Sequence, residues 1–208
     1  MHLRRLFEAG LVAAALLLWT ATSHAAIRGS AHDFSGQTWN PSGEICLPCH
    51  APHGANTSVA DAPLWNHAVT QATFQVYQSS TIRATDLGQP SGRSKLCLSC
   101  HDGTVALDSF GGRTGTRFIS SDHNIGTNLR NDHPISFTYN DALATLDRGL
   151  FPPSSKASGL GGTIQTDLLY NNKLECSSCH DVHNALGLPG LLKKANAGSA
   201  LCLTCHNK

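Results

Sequence analysis

All eight cysteines of the chain fall into four copies of one five-residue pattern. The copies read CLPCH, CLSCH, CSSCH and CLTCH, and each has the form Cys-x-x-Cys-His. Two thiols one helical turn apart can add to the two vinyl groups of a haem, and the histidine that follows then falls beneath the iron. The pattern therefore predicts four covalently attached haem c groups. Their attachment positions are Cys46, Cys49, Cys97, Cys100, Cys176, Cys179, Cys202 and Cys205. Their proximal iron ligands are His50, His101, His180 and His206.

Other uses of paired cysteines explain the pattern less well. Four local disulfides would each close a very small loop and stabilise the fold little. Zinc sites use Cys-x-x-Cys pairs but do not require a histidine after each second cysteine. A thioredoxin-like redox pair needs a βαβ context, which the sequence does not show. A zinc or disulfide scaffold is the alternative that an assay for haem would decide.

The amino-acid composition also limits which residue type can be the second axial ligand of each iron. The chain has a single methionine, Met1, which lies in the leader predicted below, and every thiol is assigned to a haem. Electron carriers fill both axial positions of the iron, so histidine is the remaining donor. The sequence predicts four bis-His, low-spin haems. The six histidines of the mature chain outside the motifs are His32, His53, His67, His123, His133 and His183.

Spacing separates these six candidates. His53 and His183 each follow a proximal histidine by three residues, and so short a segment cannot pass around the edge of a porphyrin. Each is therefore predicted to ligate a neighbouring haem, which requires closely spaced haems. His133 precedes a proline, which favours an extended backbone and a fixed imidazole direction.

The remaining three candidates carry weaker arguments. His32 lies close to the start of the mature chain, where a segment is ordered only if something anchors it. We therefore expect it to ligate a haem, in its own or in a neighbouring molecule. His67 is a less favoured distal ligand, because a packed core histidine explains it as well. His123 lies in a glycine-rich loop and is expected to be solvated.

Residues 1–25 have the organisation of a secretory signal peptide. Two arginines precede a short apolar run over residues 11–19, and Ser23 and Ala25 suit a cleavage site after Ala25. The apolar run is about half of the ~20 residues that a transmembrane helix needs. The sequence thus predicts an exported chain over 26–208 with no transmembrane segment, in the periplasm or outside the cell.

Charge excludes one class of partner. Only 14% of the residues are charged, and the formal net charge of +1 falls to zero when the leader departs with two arginines and one glutamate. Such a chain lacks the basic surface that nucleic-acid binding requires. A net charge near zero permits self-association.

The elements between the motifs are expected to be short. The fold class predicted is loop-rich, with short helices and few short strands, built around four covalent haems as a single tetrahaem domain over 26–208. Two paired haem units lie at 46–101 and 176–206. Weak patterns predict strands at 73–81 and 163–170, helices at 140–146 and 191–195, and loops at 111–126 and 152–162. Since much of the apolar core is expected to be porphyrin, we expect the haem-free chain not to fold.

Longer strings around the motifs carry a resemblance. HDFSG, CLPCHAPHGA, APLWNHAV, KLCLSCHDGTVALDSF, NDHPISFTY, LECSSCHDVHN and ALCLTCHNK together resemble the doubled-CxxCH multihaem cytochromes. More narrowly, they are similar to the tetrahaem extracellular cytochromes of the outer-membrane type-E group, which polymerise into conductive filaments. The resemblance spans roughly residues 30–208.

This resemblance implies a function and an assembly. It implies stacked bis-His haems, with His53, His133, His183 and His32 as distal ligands and one ligand donated between subunits, for which His32 is the expected donor. The implied function is long-range extracellular electron transfer in a homopolymer that exchanges electrons with other redox proteins or extracellular acceptors. The alternatives are a monomeric periplasmic electron shuttle and a multihaem reductase with one open haem site.

Overall fold

The computed structural model describes residues 27–59 and 62–208, and the predicted signal peptide lies outside them. Its α-helices are α1 (Gly92–His101), α2 (Asp141–Asp147), α3 (Ile164–Leu168), α4 (Cys176–Cys179) and α5 (Cys202–Cys205). Its strands are β1 (Phe137–Thr138) and β2 (Lys173–Leu174), and short 3-10 segments lie at Ser121–His123, Pro189–Leu191 and Ala197–Ser199. The predicted loop-rich fold class is confirmed. Among the described helices, none is both long and apolar enough to cross a membrane.

The two strands form one small antiparallel sheet. Phe137 pairs with Leu174, and Thr138 pairs with Lys173. Because β2 ends at Leu174, two residues before the first cysteine of the third motif, this pairing fixes where that motif begins relative to the middle of the chain.

Local capping explains two of the short helices. The helix predicted at 140–146 is confirmed as α2, and the Asn140 side chain accepts a hydrogen bond from the backbone N–H of Leu143 (2.9 Å). The strand predicted at 163–170 is wrong, because α3 occupies its first half. Thr163 and Thr166 cap each other's backbone N–H groups, and this reciprocal capping starts a helix there.

Two further sequence predictions are wrong for reasons of long-range contact. Residues 73–81 form no regular strand. The side-chain amide of Gln89 instead bonds both the N–H (2.7 Å) and the C=O (2.9 Å) of Phe74. No helix forms over 191–195, because Leu192 pairs with His180 in an isolated bridge. The predicted loops at 111–126 and 152–162 are confirmed, apart from the 3-10 turn in the first.

Within residues 27–59 and 62–208, the apolar core consists of three small clusters. The largest surrounds α3 and the sheet and includes Phe137, Tyr139, Ile164 and Leu168. Tyr139 is fully buried, and its hydroxyl donates to the carbonyl of Phe151 (2.7 Å). The other two clusters each centre on three buried side chains.

A substitution at Ile164 tests how much the largest cluster contributes to the free energy of unfolding, since the Ile164 side chain is completely buried. We expect Ile164→Ala to lower the free energy of unfolding by about 2–4 kcal/mol, through lost burial and the cavity left behind. Urea unfolding of the haem-loaded protein, followed by circular dichroism, measures this. The control is Leu146→Ala in α2, where the side chain is 60% exposed and the change should stay within about 0.5 kcal/mol. Equal losses in both variants would contradict this assignment of the core.

Candidate haem sites

Each cysteine motif closes one helical turn. The second motif ends α1, the third and fourth lie on α4 and α5, and the first lies on a turn. In the three motifs outside α1, the backbone N–H of the histidine donates to the carbonyl of the first cysteine. The pairs are His50 with Cys46 (2.8 Å), His180 with Cys176 (3.1 Å) and His206 with Cys202 (3.0 Å). The turn thus places both thiols and the imidazole at one end of a short segment.

The cysteines of successive motifs lie close to one another. All eight thiols are free. Burial, and next to it Cys49 of the first motif, raises the pKa of Cys100 to about 12. The thiols of Cys97 and Cys176 interact: their mutual hydrogen bonding is the largest cause of the raised pKa of Cys97 and of the lowered pKa of Cys176, which connects the second motif to the third. Burial and then Cys179 raise the pKa of Cys205 to about 11. The attachment sites therefore follow each other in space in the order in which they occur along the chain.

Three of the four motif histidines are oriented by a backbone carbonyl. Their Nδ1 atoms lie at hydrogen-bond distance from the carbonyl oxygen of a residue outside the motif. The pairs are His50 with Pro63 (2.7 Å), His101 with His123 (2.9 Å) and His180 with Gly190 (2.8 Å). A carbonyl accepts but cannot donate, so the proton sits on Nδ1 and the Nε2 lone pair is left for a metal.

Three motif histidines also face a histidine from elsewhere in the chain. Each pair joins one imidazole of a motif to one of the distal candidates, with ring centroids 6.0–6.3 Å apart. The pairs are His32 with His101 (6.0 Å, rings at 82°), His50 with His183 (6.3 Å, 20°) and His133 with His206 (6.2 Å, 68°).

The surroundings keep two of these imidazoles neutral. Burial, together with the neighbouring His101 as the second cause, lowers the pKa of His32 to about 4. Burial also lowers the pKa of His206, with His133 as the next cause. Both rings are consequently less protonated near neutral pH than free histidine, and a neutral imidazole is the form that binds a metal.

The other histidines lie in different surroundings. His53 and His123 are exposed, as His133 and His183 are, but neither forms a ring pair with another histidine of the described chain. His67 is buried, with Nδ1 2.8 Å from the carbonyl of Ala68 and Nε2 3.0 Å from that of Ala106. His180 makes no ring contact of this kind with another histidine in the described part of the chain, although it lies near enough to His32 to affect its pKa.

Sequence reasoning missed two buried acids beside the motifs. Asp102 follows His101 directly, and its Oδ2 accepts from the hydroxyl of Thr70 (2.5 Å). Glu175 precedes Cys176 directly and is 3% exposed. Their positions next to a motif were visible in the sequence, but their burial depends on partners distant along the chain.

The residues present fit four haem c groups. The thiols are unpaired and one turn apart, and three motif imidazoles have Nε2 left for the iron. Once bound, a haem supplies an iron that accepts and releases single electrons.

Comparison with known proteins supports the same cofactor. A family model described as the doubled CXXCH motif matches residues 170–208. This segment contains the third and fourth motifs, and the first two lie outside it. Comparison with curated proteins gives no match. The match supports a multihaem c-type cytochrome-like protein with covalently bound haem c, whose role is electron transfer.

Proposed function

We propose that the chain is a tetrahaem c-type cytochrome that carries electrons through closely spaced bis-His haems. The family match supports haem attachment at the third and fourth motifs. The first and second motifs have the same five-residue pattern and the same free thiols, so we extend the assignment to them.

The observation that carries this proposal is the separation of the three histidine pairs. A metal–imidazole bond is about 2 Å long, so two imidazoles on opposite sides of one iron have ring centres about 6 Å apart. The three pairs have 6.0, 6.2 and 6.3 Å. We therefore assign His32 to the haem of His101, His183 to that of His50, and His133 to that of His206.

The pair of His50 with His183 supports the argument made from spacing. His183 belongs to the segment of the third motif, yet it faces the histidine of the first. A distal ligand that comes from the segment of one motif and binds the haem of another would hold the two motifs together and bring their haems close, as an electron relay requires.

The third motif needs a ligand from another source. His180 has no ring partner within the described residues, and both nitrogens of His67 lie against backbone carbonyls. We propose that His53 of a neighbouring copy completes this haem, because it is exposed and follows a motif. This revises the expectation for His32, whose position beside His101 of its own chain favours a ligand role within one molecule.

Donation of a ligand from copy to copy would generate a polymer. An interface of this head-to-tail kind repeats without closing unless its rotation forms a ring. We therefore propose an exported protein that assembles into extracellular filaments and conducts electrons along them to other redox proteins or external acceptors.

The same open position supports a second candidate function. If no second copy fills it, the haem of His180 would be five-coordinate and could bind a small substrate, as in a multihaem reductase. A monomeric periplasmic shuttle with four six-coordinate haems is the third arrangement. Binding of carbon monoxide to the reduced protein distinguishes the reductase from the other two arrangements, since only a five-coordinate haem takes it up readily.

Replacing His133 tests the assigned pairs. We expect His133→Ala to convert one of four haems from low spin to high spin, because the iron of the fourth motif loses its sixth ligand. His133→Met should restore a low-spin haem with a more positive potential, since methionine is also an axial ligand and raises the potential. Electron paramagnetic resonance and optical spectra measure both effects. His67→Gln is the matched control and should leave all four haems low-spin. An unchanged spectrum in His133→Ala would refute the pair.

Electron microscopy tests the assembly. We expect the native protein to form uniform filaments, and His53→Ala to give single molecules with four covalent haems, one of them high-spin. His123→Ala alters another exposed histidine, one that lies outside the motifs and outside the three proposed pairs, and should leave filaments intact. If His123→Ala abolishes filaments and His53→Ala does not, the donor is misassigned. Small particles with four low-spin haems in the unaltered protein would contradict assembly itself.

A further inference from the structure

A carboxylate is buried at the contact between the second and third motifs. Glu175 precedes Cys176, is 3% exposed, and lies where α4 packs against α1. A glutamate is almost never fully buried unless it is paired. Within residues 27–59 and 62–208, no lysine or arginine forms an ion pair with it, so its partners are neutral groups.

Those partners are all hydrogen-bond donors. Oε2 of Glu175 accepts from the backbone N–H of Ser94 (3.1 Å), from the Ser94 hydroxyl and from the Ser136 hydroxyl (3.1 Å). The backbone N–H of Ser178 donates to the backbone carbonyl of Glu175 (2.8 Å), so the donors to the Glu175 side chain are those of Ser94 and Ser136. An ionised carboxylate only accepts hydrogen bonds, so this set of partners suits the charged form.

The two hydroxyls are oriented by further bonds. The Ser94 oxygen accepts from the backbone N–H of Cys176 (3.0 Å), and the Ser136 oxygen accepts from that of Ser91 (3.1 Å). Because the Ser94 oxygen already accepts from Cys176, the Ser94 proton is directed to the carboxylate. The Ser136 hydroxyl lies 3.1 Å from the carboxylate and 3.4 Å from the carbonyl of Ser91, so the carboxylate is its nearer acceptor. These bonds also join the start of α1 to the start of α4, across 81 residues of sequence.

The charge lies next to two attachment sites. Glu175 directly precedes Cys176 of the third motif and, through the Ser94 hydroxyl, shares a hydrogen-bond network with the Cys176 backbone N–H. Ser94 itself lies three residues before Cys97 of the second motif. The pKa of Cys97 is raised first by its hydrogen bond to Cys176, then by burial, and also by the negative charge of Glu175. The Glu175 charge therefore acts at Cys97 and Cys176, the positions through which two neighbouring haems would be attached.

We infer that Glu175 is a fixed buried anion that lowers the reduction potentials of the haems on the second and third motifs. The inference rests on the proposed electron-transfer function. Reduction removes one positive charge from the iron, and a nearby anion in a medium of low dielectric favours the oxidised, more positive state. Glu175 thereby positions both motifs and sets the energies of the two central haems of the relay.

Spectroelectrochemical titration of the haem-loaded protein at pH 8 tests this inference. Glu175→Gln keeps the shape and one carbonyl acceptor but removes the charge. We expect the reduction equilibrium constants of two haems to rise at least tenfold, which is about 59 mV for a one-electron step. The other two should change much less. Glu44→Gln is the matched control, because it makes the same chemical change at an exposed position, where water screens the charge.

A second variant separates charge from packing. Ser136→Ala removes one hydrogen-bond donor to Glu175 but leaves the Glu175 carboxylate in place. Because fewer donors then offset the negative charge of Glu175, the same two reduction potentials should move in the negative direction. A positive or absent shift in Ser136→Ala would overturn the inference, and this holds even if Glu175→Gln does not fold. Unchanged potentials in Glu175→Gln would also overturn it. Haem stoichiometry and spin state, measured on the same samples, report separately whether the proposed tetrahaem function holds.

Discussion

Opposing imidazoles about 6 Å apart are the geometry on which the remaining structure depends. One member of each pair follows a cysteine turn, and the other comes from a distant part of the chain. The apolar clusters are small and separate, and the only sheet among the described residues has two strands of two residues each. A chain with so little regular structure depends on cross-connections, and iron held by two histidines would supply them.

Hydrogen bonds between side chains and distant backbone groups add further cross-connections. Carbonyls outside the motifs orient His50, His101 and His180, and Glu175 joins the starts of two motif helices. Such contacts fix an imidazole in one tautomer and one direction, which would limit the rearrangement of a haem iron bound there. The irregular backbone is thus organised to place many donors and acceptors around a few rigid groups.

The sequence could predict those parts of the site that depend on short spacing. The cysteine turns, the loop-rich character and α2 follow from local patterns, and the argument that His183 must reach another haem needs only the length of three residues. The capping box that begins α3 was also local, but its pattern was interpreted as a strand. The pairing of His32 with His101, the burial of Glu175 and the role of Gln89 beside Phe74 join residues that are far apart in sequence. Nothing in local composition determines such contacts.

The proposed function requires four haems covalently joined to this polypeptide. Intact mass spectrometry of the native protein under denaturing conditions, together with iron analysis, tests this requirement. We predict one species that carries four haem adducts and four iron atoms per chain. A chain with fewer adducts, or one that holds zinc in place of iron, would contradict it.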